Sequence, residues 1–145
     1  MEGKNDYIER IQFALQASIQ TMQPKLIDTL EHHGVTATQF HVLIYLRKHE
    51  RCKMSEIVEF LEVKPSAVSF MIDRLENNNI VYRENDKKDR RVVNILLTEE
   101  GIEKIDLVIQ DRKEMFENIL LNFEEDELLQ FVKITEKIAT IAAEL

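Results

Sequence analysis

The sequence predicts a mainly α fold that carries one small β-hairpin. Three observations point there. Only 3 Gly and 2 Pro occur in 145 residues, too few turn formers for a β-sandwich or barrel. Apolar residues recur at spacings of three and four along most of the chain. Two short β-branched runs, Ile80-Val81-Tyr82-Arg83 and Val92-Val93-Asn94-Ile95-Leu96-Leu97, break that period and flank a polar stretch without Gly, Glu84 to Arg91.

The elements follow in order. Ile8, Ile11, Leu15, Ile19, Met22, Leu26 and Leu30 form one stripe of a long helix over about 7–33, with Pro24 expected to kink or break it near 21–24 and Gly34 to stop it. Thr36 to Gln39 has the form of a capping box, and Phe40, Leu43, Ile44 and Leu46 give the apolar face of a second helix ending near Lys48. Glu50 to Lys53 reads as a polar connection. Ser55 is placed to cap a short helix burying Ile57, Val58 and Leu61, and Pro65 to open another at its first position, with Val68, Met71, Ile72 and Leu75 on its inner side. Asn77-Asn78-Asn79 ends it, because Asn tolerates a left-handed cap. After the hairpin, Thr98 caps a helix carrying Ile102, Ile105, Ile109 and Ile119. Glu124 to Glu127 opens the last one, faced by Leu128, Val132, Ile138, Ile141 and Leu145.

Composition narrows the class. With 44% apolar and 32% charged residues the chain can bury a core under a charged surface, so global disorder is excluded. A single Cys excludes an intrachain disulfide framework and fits a reducing compartment. No apolar run approaches the roughly 18 residues of a membrane span, and the first ten residues show no secretory leader, so a soluble cytoplasmic protein without a membrane partner is expected. No nucleophile–base pair, phosphate loop or paired-carboxylate signature stands out, and an enzyme is the least favoured class.

The net charge of −8 is unevenly spread. Residues 1–50 carry 5 positive and 6 negative charges, residues 51–91 carry 9 and 8, and residues 99–145 carry 5 and 13. Phosphate binding depends on local positive charge, and Lys87, Lys88, Arg90 and Arg91 fall within five residues at the hairpin tip. An acidic last third does not exclude such binding; it would repel a nucleic acid from that end and so help to orient the molecule.

The short helix and the Pro65 helix have helix-turn-helix spacing, and the hairpin that follows supplies a wing. The second helix of such a pair fits the major groove, about 12 Å wide. With Val68, Ile72 and Leu75 inside, it presents Ser66, Ser69, Phe70 and Asp73 outward. Each feature alone has a plain alternative, since exposed serines and a charged hairpin tip are ordinary solvated surface. Together, cations directly behind a helix-turn-helix pattern point to nucleic acid.

The residues Thr38-x-Phe40-x-Val42-Leu43, Val68-Ser69-x-x-Ile72-Asp73-Arg74-Leu75-Glu76 and Asp86-x-x-Asp89-Arg90-Arg91-x-x-x-x-x-Leu97-Thr98-x-x-Gly101 resemble the MarR family of winged-helix transcription regulators, over nearly the whole chain. The resemblance implies one domain, 1–145. Its helical dimerisation body spans about 7–33 and 99–145, and its winged helix-turn-helix lobe about 36–98. It further implies a homodimer on palindromic double-stranded DNA, most often as a repressor, released by a small aromatic or lipophilic anion, or in some relatives by an oxidant. The DNA-contacting set is then Ser55, Pro65, Ser66, Ala67, Ser69, Phe70, Arg74, Lys87, Lys88, Arg90 and Arg91, with Arg90 in the minor groove and Asp89 bracing the wing through Arg91. Phe13, Ala17, His41 and Tyr45 are the candidate effector contacts. The chain departs from the family at Glu62-Val63 and Asn79, where Gly is usual, and at Lys64, where a hydroxyl residue often caps the recognition helix.

Two rival readings stay open. His41, His49 and Cys52 do not form a closed zinc-ligand spacing, so neither metal nor cofactor is expected. Cys52, between Arg51 and Lys53, reads as a solvent-edge thiol with a modestly lowered pKa, and a redox- or metal-responsive sensor of the same fold is the alternative. A winged-helix protein-interaction module without DNA binding would fit the acidic balance.

Overall fold

The computed structural model describes residues 3–145; Met1 and Glu2, on which part of the leader reading falls, lie outside the described residues. The order is α1 (Lys4–His32), α2 (Ala37–His49), β1 (Arg51–Lys53), α3 (Met54–Leu61), α4 (Pro65–Asn77), β2 (Val81–Asn85), β3 (Val93–Leu97), α5 (Glu99–Leu120) and α6 (Glu125–Ala142). The chain divides into two compact units, Met1–Ile109 and Gln110–Leu145, with α5 crossing the division. Among the described residues no helix is long and apolar enough to cross a membrane.

The core of the first unit is built from α2, α3, α4, the sheet and the start of α5. Val42, Leu43, Leu46, Ile57, Val68, Ile72, Ile95, Ile105 and Val108 are fully buried there. The local signals that enclose this core act as expected. Gln39 and Thr36 exchange capping hydrogen bonds of 3.0 and 3.1 Å. Gly34 takes φ 69°, and the amide of Val35 donates to the Leu30 carbonyl, closing the end of α1. Asn79 takes the left-handed conformation, φ 57°.

Gly101 has a stricter reason to be Gly. A Cβ there would overlap the carbonyl oxygen of Ile80, against which the first turn of α5 is packed. That carbonyl accepts the Thr98 amide at 3.0 Å and its hydroxyl at 3.2 Å, while the same hydroxyl receives the Gly101 amide.

Three sequence expectations are corrected. Pro24 does not break α1, which runs as one helix through it. The missing amide removes only the bond to Gln20, a local loss within a 29-residue helix. Residues 51–53 are not a loop but a third strand, β1, antiparallel to β3 with Cys52 opposite Ile95, so the sheet order is β1-β3-β2. Ser55 does not cap α3. The helix starts one residue earlier from Lys53, whose amide donates to Glu56 at 2.6 Å, and Ser55 lies exposed in its first turn.

The helical ends contrast with this core. Of the α1 stripe only Leu30 is buried and Met22 and Leu26 are half-buried, while Ile8, Ile11, Leu15 and Ile19 lie open. In the second unit α6 buries none of its residues, and Phe131, Val132, Ile134, Ile138 and Ile141 are each about half exposed.

Candidate nucleic-acid interface

The recognition element is set by its own first residues. Glu62 ends α3 in the left-handed region at φ 53°, and Lys64 leads extended into Pro65 at the first position of α4. Burial of Val68, Ile72 and Leu75 then decides which side faces out. Pro65, Ser66, Ala67, Phe70 and Arg74 are exposed, with Phe70 at 64%, and Ser69 is half-buried.

The wing is held by carboxylates at three levels. At its base Arg83 of β2 binds two carboxylates of α4: its guanidinium donates to Asp73 at 2.6 Å and to Glu76 at 2.9 Å, with a weaker 3.5 Å contact to the Ser69 carbonyl. Its backbone amide also donates to Glu76, at 3.0 Å. Burial opposes the Arg83 charge, but the hydrogen bonds it donates to Asp73 and Glu76 outweigh it and hold the guanidinium protonated. Asp73, expected to face the groove, therefore spends its carboxylate on Arg83.

Near the tip, Asp86 folds the turn. One carboxylate oxygen accepts the amides of Lys88 at 2.8 Å and Asp89 at 3.3 Å, and the other accepts the Asn94 side-chain amide at 3.2 Å. The Lys88 amide first, then Asn94 and the Asp89 amide, hold its pKa below the ordinary carboxylate value. Asp89 accepts the Arg91 guanidinium and amide, each at 3.1 Å, which lowers its pKa likewise. So Asp89 does brace Arg91. The side chains of Lys87, Lys88 and Arg90 are exposed and have no ion-pair or hydrogen-bond partner among the described residues.

Between these elements lies a cleft of about 570 Å³ lined by Lys53, Met54, Ser55, Ser69, Arg83, Arg91, Val92 and Val93. It brings together Ser55, Ser69 and Arg91 of the expected set, from three separate elements. Arg83 and Lys53 join them although sequence reading did not single them out. The available signal was Asp73 and Glu76 three residues apart on one helix side, which demand a cation.

The four effector candidates are not brought together in this way. Phe13 is 77% exposed, Ala17 and His41 are exposed, and Tyr45 stacks at 4.4 Å on Phe60 of α3 and at 4.3 Å against His49. Cys52 is corrected in sign. Strand alternation turns Arg51 and Lys53 outward and Cys52 into the core, so burial, and secondarily Glu56, push its thiol up to about 11 rather than down. That opposes a reactive sensor thiol. Among the described residues no three His, Cys, Asp or Glu side chains converge as a metal site.

A helix-turn-helix whose second helix stands open beside a braced, cation-tipped wing defines a winged-helix protein of the nucleic-acid-binding class. The MarR family model matches residues 35–93, from the cap of α2 to the start of β3. The HTH-type transcriptional repressor MdtR of Bacillus subtilis is 43% identical over 98% of this chain and 92% of its own length. The chain belongs to the MarR family of transcription regulators. The crystal structure of the Bacillus subtilis YusO protein superposes with a TM-score of 0.85, at 42% identity over 96% of this chain and 99% of that one. A point mutant of Staphylococcus aureus MepR, solved bound to an oligodeoxyribonucleotide, matches with a TM-score of 0.69 at 26% identity, over 97% of this chain and 99% of that one.

Proposed function

We propose that this protein is a cytoplasmic repressor that binds a palindromic operator as a homodimer, with α4 in the major groove and the wing tip on the flanking minor groove or phosphates. The observation that carries the reading is the partition of charge on the wing. Asp73, Glu76 and Asp89 are consumed by Arg83 and Arg91, which leaves Lys87, Lys88 and Arg90 as free cations beside the open side of α4. Ser55 and Lys53 on the cleft wall add a hydroxyl and an ammonium donor suited to a phosphate. Two-fold pairing is supported by the uncovered apolar residues of α1 and α6, and it would match the symmetry of a palindrome.

Release is assigned to a small aromatic or lipophilic anion, with Phe13, Ala17, His41 and Tyr45 as candidate contacts that the single chain does not gather into one cleft; it would fix the two lobes at a spacing unlike that of the half-sites. A panel of such acids that neither shifts the melting temperature nor weakens DNA binding would remove this part.

The DNA contacts are tested by two variants on matched and random duplexes at several salt concentrations. Arg90→Ala is expected to weaken both duplexes alike, by about tenfold, and to lower the salt slope by about one phosphate. Ser69→Ala is expected to leave the slope and to change the ranking of operator variants by about 1–2 kcal/mol at one position. Unchanged affinity in Arg90→Ala would favour the interaction-module reading instead.

A further inference from the structure

We propose that Arg83 is a positioning residue for DNA binding: it touches no DNA but sets the angle between the wing and the recognition helix, so that Arg90 and Ser69 engage one site together. The proposal rests on the DNA-binding reading above. Arg83 sits mid-strand in β2, paired in register with Ile95 of β3, and its guanidinium reaches back to successive turns of α4, at Ser69, Asp73 and Glu76. Glu76 holds both ends of the residue, taking the backbone amide on one oxygen and the guanidinium on the other.

A single pivot would allow the strand to rotate; two carboxylates on a planar guanidinium fork do not, because the fork fixes direction as well as distance. The side chain is only 26% exposed, and both carboxylates already neutralise it, so it has little charge left for a phosphate. Among the described residues the hairpin makes no ion pair to α4 apart from the two of Arg83. The wing from Arg83 to the tip is therefore a lever. At a rise of about 3.3 Å per residue, a small rotation at the bracket is magnified at Arg90.

A residue that only stabilised the fold would lower the folded fraction without changing what Arg90 is worth. A bracket changes that worth. The test is a double-mutant cycle on operator DNA with Arg83→Met, which keeps the stem and removes both ion pairs, and Arg90→Ala. Asp73→Asn, an exposed change that removes one pair, stands in if Arg83→Met does not fold. In the parent, Arg90→Ala is expected to cost about tenfold; in the Arg83→Met background it is expected to cost less than about twofold, and the salt slope, lowered by about one unit in Arg83→Met as Arg90 disengages, is expected to fall no further when Arg90→Ala is added. Arg83→Lys, reaching one carboxylate, is expected to restore part of the Arg90 penalty. An Arg90 penalty that stays near tenfold overturns the proposal, and a salt slope that falls by about one further unit when Arg90→Ala is added to Arg83→Met assigns Arg83 to a phosphate of its own instead.

A second measurement needs no DNA. Spin labels at Ala67→Cys and Lys88→Cys, in a Cys52→Ala background, are expected to give a narrow distance distribution that broadens with Arg83→Met. An unchanged distribution overturns the bracket by itself. If the parent fails to bind DNA while the labels broaden, the bracket stands as a structural coupling and the repressor reading is what has failed, which overturns the positioning role claimed for it.

Discussion

Helices α4 and α6 are both amphipathic, 13 and 18 residues long, and both begin with a well-formed first turn. In α4 the apolar residues spaced four and three apart are sealed: Val68 and Ile72 have no exposure and Leu75 almost none. In α6 no residue is buried, and Ile134, Ile138 and Ile141 each leave about half their surface open. The difference lies in the partners. Helix α4 shares one core cluster with α2, α3, the sheet and the start of α5, all within the first unit, residues 1–109. Apolar periodicity thus states that a face needs a cover and says nothing about who provides it. Contiguous open patches of this kind mark association surfaces, and a second copy of the chain is the occupant argued above.

The largest effects should separate these two helices. Ile138→Glu is expected to weaken self-association more than a hundredfold, worth about 3 kcal/mol or more, while residues 37–97 keep their fold. Sedimentation at micromolar concentration should then show the single-chain mass of 17.1 kDa instead of twice that. A parent protein that already sediments as one chain breaks the comparison, because some other partner would have to cover α6. Ile72→Ala should behave oppositely: a loss of about 2–4 kcal/mol in urea unfolding that does not depend on protein concentration.

Gly101→Ala sharpens the same contrast inside one helix. Ala is the better helix former by about 1 kcal/mol, so in the outer part of α5 such a change would stabilise. At Gly101 the new methyl meets the Ile80 carbonyl, and the expected result is a net loss of about 2–3 kcal/mol by denaturant titration. A stabilised Gly101→Ala would show that the close approach of α5 to Ile80 is wrong.

The remaining tests are smaller. Cys52 keeps its thiol to about 11 against an ordinary 9.0, so the fold favours the neutral form. Its contribution is fully present below pH 9 and is lost as the pH rises through 11. At pH 8 iodoacetamide should therefore alkylate folded protein at least about tenfold more slowly than urea-unfolded protein, and equal rates would restore the sensor reading. Glu62→Gly is the smallest. Relief of the left-handed backbone at φ 53°, set against the entropy of Gly, should stabilise by about 0.5 kcal/mol in thermal or urea melts.

Much of the fold was legible because its signals are local. The Thr36 and Gln39 box, Pro65 at the head of α4, Asn79 at its end and the Thr98 cap each act within about four residues, the range over which backbone and side chain can bond directly. β1 was not legible for the opposite reason. Three residues carry no period, and Arg51 to Lys53 become a strand only because β3, some 43 positions later, offers an open edge. The wing cations were visible as a cluster, but which of them are free was not, since that depends on Asp89 folding back on Arg91 and on Asp73 and Glu76 taking Arg83.

By itself, then, the sequence determined the helical class, the positions of the turns and the side of α4 that turns inward, because propensity, capping and the 3.6-residue period are properties of neighbouring residues. The tertiary structure alone decided three things: that Cys52 is sealed and its thiol raised, that Ser55 and Ser69 share a cleft, and that Arg83 locks wing to helix. Each of these is a matter of which distant groups share a low-dielectric or hydrogen-bonding neighbourhood, and chain order does not encode that locally.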